Sequence, residues 1–107
     1  KSTVLSLMKA MVRNEEMDGF TKAACEDSSF VPLESETLEN LEINCLSTYL
    51  GEQIEGKRYS LVNRGTTPIP LKEEDVAGPE DLALTLMKST IHPQETTTLY
   101  IISRRPQ

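Results

Sequence analysis

Tryptophan is absent from this 107-residue sequence, and three tyrosines and two phenylalanines are its whole aromatic complement. Sugar clefts are usually walled by aromatic faces, so paired-carboxylate glycoside hydrolysis lacks its setting here. Cations are scarce as well. Between Asn14 and Glu55, Lys22 stands alone. A domain that grips nucleic acid or an anionic membrane needs clustered Lys and Arg to displace counterions, and neither partner fits this charge distribution. The longest apolar run is Leu99-Tyr100-Ile101-Ile102, far short of the roughly 20 residues of a spanning helix.

Chemical motifs are missing too. The sequence has no Gly-x-Ser-x-Gly elbow, no Gly-x-x-x-x-Gly-Lys-Ser/Thr loop and no Gly-x-Gly-x-x-Gly turn. Its single histidine, His92, directly precedes Pro93. That position reads as a solvent-facing turn more readily than as half of a thiol–imidazole couple with Cys25 or Cys45. Two cysteines and one histidine without a Cys-x-x-Cys pair do not make a four-ligand zinc site. The acidic Glu73-Glu74-Asp75 and Glu15-Glu16 with Asp18 read as solvated segments, because neighbouring carboxylates on a loop diverge. We therefore expect no catalysis, no metal and no cofactor.

What is present is an ordinary globular composition, 37% hydrophobic and 26% charged, with net charge −6. The acidity is lopsided, at −7 over residues 1–55 and +1 over 56–107. A length of 107 residues predicts one core-bearing domain. The chain opens on Lys1 with no charged and apolar leader, so we read it as part of a longer protein, and the missing leader is silent about compartment. An even cysteine count permits one disulfide, but two small buried thiols suit it equally.

Residues 1–18 read as a leading amphipathic helix, and 19–107 as a single β-sandwich. Val4, Leu5, Met8, Met11 and Val12 recur at helical spacing, Ser2 or Thr3 can cap the start, and Lys9 and Arg13 suit the end. Asn14 and Glu15-Glu16 close the segment. Beyond Gly19 the period shortens. Phe20–Ala24 and Phe30–Leu33 read as short strands, and Glu34–Glu42 as a loop or a helical turn. Leu41, Ile43 and Cys45 alternate. The phase then slips to Leu46, Thr48 and Leu50, which predicts a β-bulge near Cys45–Ser47. A strand over 58–63 ends at Asn63-Arg64-Gly65, where positive φ would be tolerated. Pro68–Leu71 reads as a protected edge, Lys72–Val76 as one helical turn or a loop, and Ala77-Gly78-Pro79 as a breaker. Strands over 82–87 and 97–103 flank a His92-Pro93 turn. The fold class is mainly β: an antiparallel, immunoglobulin-like sandwich with one amino-terminal helix.

Without chemistry, binding remains. A sandwich with open edges can accept an extended partner strand. The succession in the second half points further. Val62-Asn63-x-x-Thr66 is followed by Ile69-x-Leu71 and Lys72-Glu73-Glu74-Asp75-Val76. Gly78-Pro79, Ala83-Leu84, Ile91-x-Pro93 and Leu99-Tyr100-Ile101-Ile102-x-Arg104 complete it. This order resembles the carboxy-terminal domain of the TraK family of F-type conjugative secretion systems, and Val4–Val12 is similar to the helix preceding that domain. Two positions depart from the pattern: Val76 stands where the family usually has an aromatic, and Gln94-Glu95 where it favours a glycine-containing turn.

The resemblance implies a non-catalytic subunit of the outer-membrane core complex of a type IV secretion system, in the periplasm. Its implied partners are a small TraV-like lipoprotein, a TraB-like channel protein and further copies of itself in a ring, with no direct contact to nucleic acid and no membrane span. Residues assigned to the partner contact are Tyr49, Leu50, Ile54, Tyr59 and Leu61, with a role in the core as the alternative. An oxidising periplasm also favours a Cys25–Cys45 disulfide. The competing reading is a free-standing periplasmic or surface immunoglobulin-like adaptor that binds peptides.

Overall fold

A computed structural model describes residues 3–25 and 40–105. The expected Phe30–Leu33 strand, the segment up to Glu39 and the Ser2 cap lie outside the described residues. Helix α1 (Thr3–Arg13) is followed by strands β1 (Thr21–Ala23), β2 (Leu41–Leu50), β3 (Ile54–Asn63) and β4 (Ile69–Pro70). The single-turn helix α2 (Glu73–Val76) precedes β5 (Asp81–Leu86), β6 (Thr90–Ile91) and β7 (Thr96–Arg104). One five-stranded antiparallel sheet runs β1-β2-β3-β7-β5, and β4 and β6 form a second, two-stranded sheet. The fold is mainly β, as the alternation predicts.

Alternation along β3 and β7 puts apolar groups on both faces of the large sheet. On one face, Leu7 and Met11 of α1 pack with Tyr49, Tyr100 and Ile102. On the other, Leu61 and Leu99 pack with Ile69, Leu71 and Ile91 of the small sheet, and Val76 of α2 joins them. The two covers are offset along the strands. Helix α1 sits over Gly56, where an added Cβ would stand 2.5 Å from Met11 Sδ. The small sheet covers the opposite face toward Asn63.

The bulge falls where the phase slip predicts, with the β2–β3 register shifting between Cys45 and Ser47. Its consequence is functional for the fold. Leu41 and Ile43 face the small sheet, whereas Tyr49 beyond the bulge faces α1. Tyr49 is fully buried, and its hydroxyl donates to the Glu15 carbonyl at 2.9 Å, just past the helix end. That end is closed by a Schellman motif. Asn14 takes φ 58°, its N–H bonds the Met11 carbonyl and the Glu15 N–H bonds the Ala10 carbonyl.

The strand end at Asn63 differs from expectation. Neither Asn63 nor Gly65 has positive φ. Asn63 is instead a fully buried hub. Its Nδ2 donates to the carbonyls of Thr67 and Ile91 at 2.8 and 2.9 Å, while Oδ1 accepts from the Gly65 N–H at 2.8 Å. Its backbone carbonyl also accepts from Gln94. One side chain thus fastens the small sheet to the large one. Gly65 serves close approach, since a Cβ there would stand 2.9 Å from the Asn40 side chain.

The left-handed conformation occurs at Gln94, with φ 67°. The Glu95 N–H bonds the His92 carbonyl, and Pro93 takes the second position, the pattern of a type II turn. Glycine is the usual third residue of such a turn, which explains physically the glycine preference noted for this place.

Two measurements check these assignments. Asn63→Ala removes the partner of the buried Ile91 carbonyl and of the part-buried Thr67 carbonyl and Gly65 N–H, and is expected to lower unfolding stability by about 2 kcal/mol in urea denaturation. Gln94→Gly removes the left-handed penalty and is expected to raise stability by about 1 kcal/mol; a loss would contradict the turn assignment.

Candidate partner-binding surface

The chemical candidates separate in space. His92 is exposed, and its backbone N–H bonds Glu95 Oε1 at 2.9 Å. Cys25 and Cys45 are joined in a disulfide with a Cα–Cα distance of 6.1 Å, so neither sulfur is available to pair with an imidazole. Asp75 of the acidic triplet closes the first turn of α2, its Oδ2 accepting from the Lys72 N–H at 2.9 Å. Among the described residues, no three His, Cys, Asp or Glu side chains stand together as a metal site would require.

The five residues assigned from sequence to a partner contact fall in different places. Tyr49 and Leu61 are fully buried, one under α1 and the other under the small sheet, and their side chains present no surface. Leu50, Ile54 and Tyr59 are half-buried. Leu50 lies opposite Thr21 of the edge strand β1. Burial, followed by the nearby Asp81 and Glu55 carboxylates, pushes the Tyr59 phenol above its ordinary pKa. Ile54 and Leu82 floor an open cavity of about 720 Å³, rimmed by Glu52, Glu80, Arg104 and Arg105. Arg105 is already engaged there, donating to the Gly51 carbonyl at 2.5 Å.

Sequence reasoning placed Leu5 and Val12 in the apolar stripe of the helix and Leu46 in a strand, yet all three reach solvent, and the helix instead buries Leu7, Ala10 and Met11. Leu46, at the bulge, is 45% exposed, and Met87, just past β5, is 53% exposed. Leu5 and Val12, seven apart on α1, are also exposed. The bulge itself was the available signal for Leu46, because a residue inserted between two phases need not face either core. Two pairs of charged side chains stand out on the surface. Arg64 Nε lies 2.8 Å from Glu42 Oε1, which together with the Asn44 amide holds the Glu42 carboxyl below its ordinary range. Lys88 engages Glu95 in the same way.

These features define a class: an antiparallel β domain, helix-covered on one face, with sheet edges and half-buried side chains among its described residues. The sequence profile of the TraK C-terminal domain matches residues 1–103, and the chain belongs to that family, a structural domain of conjugation proteins. No curated protein matches the chain.

The disulfide closes a separation of 20 residues between the edge strand and the bulge. Denatured, unreduced protein is expected to show no alkylatable thiol, and reduced protein two. Cys45→Ala is expected to cost about 3 kcal/mol of stability.

Proposed function

We propose that this domain is a structural subunit of the outer-membrane core complex of a conjugative type IV secretion system, located in the periplasm. On this reading it binds a small TraV-like lipoprotein and a TraB-like channel protein and assembles with further copies of itself in a ring. Catalysis and cofactors have no part in it. The observation that carries the reading is the match to the TraK C-terminal domain along residues 1–103.

One physical feature supports it. The acidity is concentrated in residues 1–55, and such a split favours register and choice among unlike neighbours.

Deletion of the gene in its native host is expected to reduce conjugative transfer by orders of magnitude and to remove the lipoprotein from the purified core complex. Restoring the intact gene is expected to return both. Wild-type transfer frequency in the deletion strain would overturn the reading and favour a free-standing adaptor.

A further inference from the structure

Helix α1 covers only part of its face of the sheet, and the part that no described residue covers is chemically distinctive. By strand alternation and register, the side chains there are Arg58, Ser60 and Val62 of β3, Glu42, Asn44 and Ser47 of β2, and Thr96 and Thr98 of β7. Ser47 and Tyr100 flank Arg58 on the two neighbouring strands, Thr98 lies beside Ser60, and Met87 follows at the edge, where its N–H bonds the Thr98 carbonyl. Ser60, Val62 and Thr98 are half-buried, and Thr96 is exposed. The result is a hydroxyl-rich strip with one cation at its inner end.

That cation is under-partnered. Arg58 is half-buried, and its side chain makes one hydrogen bond, from Nη1 to the neutral Ser47 hydroxyl at 3.1 Å. Its Nε is shielded from water and has no acceptor among the described residues. A guanidinium withdrawn from water loses hydration that a carboxylate would ordinarily replace. The carboxylate nearest in register, Glu42 at the far end of the same face, is held by Arg64 and Asn44. Glu95, in the turn beyond Asn63, is held by Lys88.

With Nη1 engaged and Nε shielded, Nη2 is the donor left at the surface for an incoming carboxylate, and the buried Nε adds to the positive charge behind it. The hydroxyls of Ser60 and Thr98 can bond an extended backbone or a second polar side chain laid across the strip, while Val62 and Met87 offer it apolar contact. We propose that this strip is a docking site for an acidic segment of a partner protein, with Arg58 receiving one of its carboxylates. The site stands on the sheet geometry alone and is independent of the conjugation reading above.

The test is a titration of the isotopically labelled domain, observed by NMR, with an acetylated, amidated Gly-Glu-Val-Glu-Val-Gly peptide and its glutamine counterpart. Expected are shifts of the Arg58 Nε–H and of the Ser47, Ser60 and Thr98 amides with the glutamate peptide. Binding of the glutamine peptide should be weaker by about tenfold. Arg58→Gln should abolish the difference between the two peptides, and Arg58→Lys should keep part of it by retaining the charge without the fork. Because the Arg58 Nε–H is read in the unaltered protein, the result does not hinge on either variant folding. An unmoved Nε–H at millimolar peptide, or equal binding of both peptides, would overturn the proposal. So would shifts that follow protein concentration alone, since they would assign the strip to a second copy of this chain.

Discussion

A sheet whose central strands are apolar on both faces must be covered twice, and everything else in this domain follows from how that is done. β3 and β7 each send apolar side chains to both sides, Leu61 and Leu99 one way and Tyr100 and Ile102 the other. One cover is a helix, the other a two-stranded ribbon. Gly56 lets the helix lie close, with Leu7 and Met11 seated against the sheet, and the Tyr49 hydroxyl fastens its end. On the ribbon side the fastening is polar. Asn63 bonds two carbonyls from two different connections, so the ribbon cannot slide along the sheet without leaving buried groups unpaired.

Because the covers are offset, each leaves part of its face uncovered by helix α1 or by the ribbon. The region beside α1 is polar but not neutral, and among the described residues its arginine has no carboxylate such as Glu42 supplies to the exposed Arg64. The net charge of −6 therefore does not describe the surface evenly: the domain is acidic in composition yet holds, among the described residues, a half-buried arginine with no acidic partner beside the helix.

Much of this architecture was legible from spacing. The helix, the bulge at Cys45–Ser47 and the closing strand all announce themselves through changes of period, which depend only on backbone geometry and solvent exclusion. The burial of Tyr49 and Leu61 was not legible, because alternation tells which residues share a face but not which face receives a cover. Tyr49 and Cys45 stand an even number of residues apart and would share a face in a regular strand; only the bulge separates them. The role of Asn63 was hidden for another reason. An asparagine before Arg64-Gly65 carries the composition of a turn, and its bonds to Thr67 and Ile91 reach residues that only the folded chain brings near. The two-residue strand β6 was likewise invisible, being too short to show a period. Arg58 was in plain view on an alternating strand, but nothing in a sequence reveals that a charge lacks a partner.

The placement of α1 bears on when this chain can fold. The first helix rests on Tyr100 and Ile102 of β7, the last strand, and β7 lies inside the sheet between the central β3 and the edge strand β5. Neither the helix nor the centre of the sheet can reach its final packing until the carboxy-terminal residues have emerged. Closure between such distant segments is slow relative to local structure. A domain of this design keeps its first helix unplaced until its last strand is available, so it completes its fold in one late step.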